Sequence, residues 1–113
     1  MDKRFESAFH KYLALQGYDC IETMPEPGEH LYDGWITAVD DERGLVFMFC
    51  SVVGELQDIS ENATIPTRLA YEHTAMAWLS ENDLSDTRIN FDCIEMVVIG
   101  PDRGFIRHAH DVY

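Results

Sequence analysis

His108 and His110 flank a single alanine near the end of the chain, and Asp111 follows directly. In an extended segment, residues two apart point to the same side, so the two imidazoles share a face. Such a pair is a donor set for a transition metal. No third ligand can be picked out from spacing, so no metal or other cofactor is expected there. Asp33, Asp40, Asp41 and Glu42 gather carboxylates around an anticipated hairpin. They are oxygen donors of the kind a divalent cation takes, but the spacing is not that of an EF-hand, and a solvated turn is expected. Glu6 falls in the first turn of a helical pattern, where the helix dipole favours an acid. Cys50 lies inside an apolar run and reads as a small core residue. There is no Ser-His-Asp order, glycine-rich phosphate loop or His-Glu-x-x-His, so hydrolase, nucleotide and zincin readings gain no support.

The elements that must position these groups follow from periodicity. Phe5, Ala8, Phe9, Tyr12 and Leu13 recur every three or four residues, which predicts an amphipathic helix over 2–16. Gly17 stands where a C-terminal cap glycine belongs. Tyr18 to Thr23 reads as a short strand, and Met24 to His30, with two prolines and a glycine, as a loop. Tyr32 to Val39 is strand-like, 40–44 is a polar turn, and Leu45 to Val53 is apolar almost throughout. A run that short and that rich in β-branched and aromatic residues predicts a central strand buried on both faces. A loop over 54–65 is expected to precede a helix opened by Pro66 and ending near Asn82. Arg88 to Gly100 is a second long strand, Pro101 to Gly104 a turn, and Phe105 to Ala109 the last strand. The order αβββαββ predicts a single α/β domain, a mixed sheet flanked by helices, over residues 1–113.

The chain has 113 residues and a formal net charge of −13, from 21 acids against 8 Lys and Arg. The acids run from Asp2 to Asp111 without forming a tail. A phosphate backbone or an anionic membrane is repelled by such a surface, so direct nucleic-acid binding is not expected. No apolar run is long enough to span a bilayer, and the amino terminus lacks the apolar stretch of a signal peptide. Three widely spaced cysteines, Cys20, Cys50 and Cys93, fit reduced thiols and hence a cytoplasmic location.

Five stretches, taken in order, are more specific together than alone. They are Glu6 to Glu22 (ESAFHKYLALQGYDCIE), Gly44 to Phe47 (GLVF), Ala75 to Leu79 (AMAWL), Ile89 to Ile94 (INFDCI) and Phe105 to Ala109 (FIRHA). In these the chain resembles the YraN-like family of small bacterial proteins, which is related in fold to Holliday-junction resolvases and restriction endonucleases. The resemblance implies a restriction-endonuclease-like fold and a nuclease constellation. That constellation is a Glu on the first helix, an Asp in a Gly-Glu-x-Asp motif and a Glu-x-Lys on the next strand. The carboxylates would hold Mg²⁺ while the lysine orients the attacking water.

Carried onto this chain, the constellation is degenerate. Glu6 matches the helix acid. Anchoring on Gly44 to Phe47 sets Trp35 at the motif Asp, Phe49 at the strand Glu, Ser51 at the Lys, and Asp33 at the motif's earlier Glu. Independently of any register, the only lysines are Lys3 and Lys11, so no strand can carry Glu-x-Lys. Arg68 is the only Lys or Arg between Pro66 and Asn82, where the family typically carries several bases. The expectation is a non-catalytic domain acting through protein–protein contacts, with a basic or nucleic-acid-handling partner favoured by charge. A homodimer would need an apolar patch to overcome like-charge repulsion. Two rivals remain. One is a Mg²⁺- or Mn²⁺-dependent nuclease using Glu6, Asp33 and Asp40 or Asp41. The other is an acidic DNA mimic.

Overall fold

The computed structural model describes residues 1–25, 32–54, 65–83 and 87–113. Helix α1 (Lys3–Leu15) starts where the Asp2 carboxylate accepts the Arg4 backbone N–H at 2.9 Å. It ends at Gln16, and Gly17 follows with φ +90°, the left-handed conformation that a glycine adopts without penalty. Strands β1 (Asp19–Pro25), β2 (Gly34–Asp40) and β3 (Gly44–Gly54) come next, then helix α2 (Arg68–Glu81), then β4 (Ile89–Gly100) and β5 (Arg103–Ala109). The five strands lie in the order β1-β2-β3-β4-β5. β1, β2 and β3 form an antiparallel meander, β3 and β4 pair in parallel, and β4 and β5 pair antiparallel. The parallel step needs a crossover, and α2 lies on it. This is the mixed α/β sheet of order αβββαββ that the periodicity predicts.

Alternation along β3 separates two cores. Val46, Met48, Cys50 and Val52 join Ile36, Ala38 and Ile94 beneath Phe9 and Leu13 of α1. Leu45, Phe47 and Phe49 join Trp35, Phe91 and Cys93 beneath Tyr71, Ala75 and Trp78 of α2. One helix therefore covers each face, and the run 45–53 is apolar at every position but Ser51 because both its faces are buried.

The structure moves two expected boundaries. β1 runs on through Met24 and Pro25, which pair with Trp35 and Gly34. β1 is an edge strand, where a proline costs the sheet no hydrogen bond if its nitrogen faces outward. The remainder of that expected loop, 26–31, lies outside the described residues, as does 55–64 of the loop expected before the second helix. α2 begins not at Pro66 but after Thr67, whose hydroxyl accepts the Ala70 N–H at 3.2 Å, because a side-chain oxygen at the cap satisfies a free donor that proline cannot.

The β2–β3 turn positions a side chain that matters below. Asp40 pairs with Gly44 across Asp41, Glu42 and Arg43, and the Asp40 carboxylate accepts the Glu42 N–H at 3.1 Å. Gly44 has φ +83°, as the closing residue of a three-residue hairpin loop requires. A Cβ there would also stand 2.9 Å from the Arg88 carbonyl oxygen. Gly44→Ala is expected to cost about 1–2 kcal/mol, as strain at a left-handed position plus a backbone clash. Equilibrium urea unfolding measures it, and an unchanged midpoint would contradict this account of the turn.

Candidate functional site

Trp35 and Phe49 are direct cross-strand neighbours, with ring centroids 5.1 Å apart and edge-to-face. Tyr71 of α2 closes over them, its ring 4.9 Å from that of Trp35. Both rings are buried, and such edge-to-face pairs add to the stabilisation from burial itself. Ser51 follows on the same face of β3, and its buried hydroxyl has no hydrogen-bond partner among the described residues. Glu6 does not join them. It lies on α1, which covers the other face of the sheet. On that other face β2 and β3 offer no carboxylate either, because Ile36, Ala38, Met48 and Cys50 line it.

The acids expected to cluster around the hairpin are also separated. Asp40 closes the hairpin, whereas Asp33 precedes Gly34 at the far end of β2. An extended strand rises about 3.3 Å per residue, so seven residues set these carboxylates roughly 20 Å apart. Only Asp40, Asp41 and Glu42 share the turn. No single ion can be held by Asp33 together with Asp40 or Asp41.

Convergence occurs elsewhere, at Asp92 on β4. Its carboxylate is fully buried on the α1 face and accepts hydrogen bonds from four directions. Arg43 reaches in from the β2–β3 turn with Nη2 at 2.7 Å from Oδ1 and Nη1 at 2.9 Å from Oδ2. His108 Nε2 lies 2.7 Å from Oδ2, and the Asp111 backbone N–H donates to Oδ1 at 3.0 Å. Arg43 also donates to the Asp111 carboxylate and to the Tyr18 hydroxyl, each at 2.8 Å. His108 Nδ1 is 3.0 Å from the Tyr12 hydroxyl, which fixes the other side of the ring. His110 stacks on His108 with centroids 3.9 Å apart and planes at 19°. Asp111 adopts φ +51°, a left-handed conformation that Asp tolerates better than most residues, and this turns its N–H toward Asp92.

Local sequence explains each placement. Asp92 sits on β4 between Phe91 and Cys93, so alternation turns it to the α1 face beside Ile94. The β4–β5 register sets His108 opposite Ile94 and Ala109 opposite Cys93, which brings His110 level with Asp92 one step beyond. Burial alone would raise the Asp92 pKa. The Arg43 guanidinium, the His108 ring and the Asp111 N–H outweigh it and hold the carboxyl well below its ordinary value of 3.8. The same contacts raise Arg43 further. Burial also pushes the thiols of Cys20, Cys50 and Cys93 upward, the last to about 11, so none of them is a thiolate nucleophile at neutral pH.

Asp92, His108 and His110 each present one ligand atom, all within 4.8 Å of one another. Asp92 is the third group that spacing alone could not attach to the histidine pair. Arg43 and Asp92 were hidden by ordinary settings, an arginine in a polar turn and an aspartate on a strand. The available signal was an acid at a core-facing position of β4, flanked by buried Phe91 and Cys93. Among the described residues, no helix is long and apolar enough to cross a membrane. No protein-family model matches the chain, and no curated protein matches it.

Removing the charge at Asp92 leaves Arg43 desolvated without its main partner, a loss of roughly 3–5 kcal/mol for a buried pair. Asp92→Asn is expected to lose that much in urea unfolding in metal-free buffer. The folded-state pKa of Asp92 is lowered, so its contribution is complete above the unfolded value and fades as pH falls below about 3.8. The stability gap between native protein and variant should therefore be constant near neutrality and narrow only in acid. A gap that persists unchanged at low pH would contradict the assignment.

Proposed function

We propose that this chain is a non-catalytic domain of the restriction-endonuclease-like type, akin to the YraN-like proteins, that acts by binding a protein partner with a basic surface. The observation carrying this reading is the Trp35–Phe49 pair sealed by Tyr71. Metal-assisted phosphodiester cleavage needs convergent hard oxygens on the central strands. Between Gly34 and Val39, and from Gly44 to Gly54, neither strand carries a carboxylate. The space where such groups would meet is filled by rings.

Charge favours the partner's chemistry. Asp19 and Glu22 are exposed on β1, and Asp41 and Glu42 are exposed on the adjoining turn. The register pairs Asp19 with Val39, next to Asp40, so these acids gather at one end of the sheet. Arg43, the one base in that turn, is turned inward onto Asp92. The exposed side chain of Ile21 gives the β1 edge an apolar contact between its acids. Opposite charge of this kind steers encounter and sets orientation. A DNA mimic is less favoured, because other exposed acids stand apart on Glu81, Asp83 and Asp102, and β5 bears Arg103 and Arg107.

Fluorescence anisotropy with a labelled lysine-rich peptide tests the reading. Binding should weaken as salt rises, and the Asp41→Lys/Glu42→Lys variant should bind about tenfold more weakly, since charges at a contact steer and orient association. Branched DNA incubated with the protein and Mg²⁺ or Mn²⁺ should stay intact. Affinity indifferent to the charge reversal would overturn the partner assignment. Cleavage that disappears in Asp33→Ala would overturn the non-catalytic one.

A further inference from the structure

From the geometry around Asp92 we infer a transition-metal site, best suited to Zn²⁺, formed by Asp92 Oδ2, His108 Nε2 and a ring nitrogen of His110. Two imidazoles and a carboxylate are a common three-residue set for zinc, with a fourth position left to water. Zinc bonds of about 2.0–2.2 Å place the ligand atoms of a tetrahedral ion roughly 3.3–3.6 Å apart. Here the atoms lie within 4.8 Å of one another, and the shortest approach is 2.7 Å between His108 Nε2 and Asp92 Oδ2. An ion is accommodated by opening that hydrogen bond, moving Arg43 Nη1 off Oδ2 and swinging His110 off its stack on His108. His110 is exposed and makes no hydrogen bond among the described residues, so the swing costs it the stack on His108 and no hydrogen bond.

What distinguishes this cluster from a chance grouping is the support already around it. With Nε2 on the metal, His108 carries its proton on Nδ1 and donates it to the Tyr12 hydroxyl, 3.0 Å away. A metal-bound histidine is usually oriented by such an outer partner. Asp92 keeps Oδ1 on Arg43 Nη2 and on the Asp111 N–H, so the carboxylate is held while Oδ2 exchanges its Arg43 Nη1 contact for the ion. Asp92 and Asp111 supply two negative charges against the one on Arg43, so the surroundings do not oppose a cation. The exposed side of His110 leaves the fourth position open to solvent. Mg²⁺, which takes oxygen ligands, is excluded by the two imidazoles. This site is on the opposite face of the sheet from Trp35 and Phe49, and it stands or falls independently of the basic partner.

The test uses the full chain without a histidine tag, titrated with Co²⁺ for its visible absorption and with Zn²⁺ by calorimetry. One equivalent of Co²⁺ should develop the strong absorption of a four-coordinate site, Zn²⁺ should abolish it, and excess Mg²⁺ should not. His110→Ala, at an exposed position that leaves the Arg43–Asp92 contacts intact, should lose the absorption while its metal-free thermal midpoint stays unchanged. Tyr12→Phe should keep the site but bind zinc about tenfold more weakly, the usual scale for losing an outer partner. A wild-type chain that shows no absorption, or a His110→Ala variant that binds as well as wild type, would overturn the assignment.

Discussion

A carboxylate with no access to water must be neutralised by its surroundings, and Asp92 imposes that requirement on most of the molecule. Its partners come from the β2–β3 turn, from β5 and from the segment after β5. Tyr12 of α1 reaches the same site through His108, and Tyr18 through Arg43. On the opposite face, the Tyr71 hydroxyl donates to the Asp92 backbone carbonyl at 2.8 Å, which ties α2 to the same residue. The chain end is then fixed by the Val112 N–H on the Phe91 carbonyl and by the Tyr113 hydroxyl on the Pro66 carbonyl. One buried charge thus determines where a turn, an edge strand and a terminal segment can lie.

The two faces of β3 divide the protein's chemistry. On the α2 side, aromatic rings meet edge to face from Trp35 through Tyr71 to Phe91, and nothing ionisable is directed into them from β3. On the α1 side the centre is equally apolar, but its β4–β5 border holds the charged network. The buried charge is tolerated at that border because Arg43, His108 and the Asp111 N–H all reach Asp92 there. This is why the absence of central carboxylates and the presence of a dense Arg–Asp–His cluster are compatible in a domain this small.

Surface charge follows another logic. A net charge of −13 spread over the chain raises self-repulsion, so the sheet must be held by packing rather than by surface ion pairs. Arg68–Glu72 and Arg107–Glu95 are such surface pairs, and each contributes little. The pair that matters, Arg43–Asp92, is withdrawn from solvent, and withdrawing Arg43 leaves Arg88, which donates to the Glu42 and Arg43 carbonyls, as the base beside the acids of that turn.

Periodicity in the sequence was enough for the element order, the two helices on opposite faces and the doubly buried β3. These depend on contacts between residues a few positions apart, or on whether a run is apolar, and both are written locally. The missing Glu-x-Lys was legible for the same reason, since two lysines in α1 settle it by position alone. The pairing of Met24 and Pro25 was not legible, because a proline discourages a strand unless one knows that the strand lies at an edge. Nor could spacing tell that Asp33 and Asp40 are held apart by the length of β2. The Asp92 network was out of reach as well. It joins residues 43, 92, 108 and 111, and only the strand register and the turn geometry bring such distant positions within hydrogen-bonding distance.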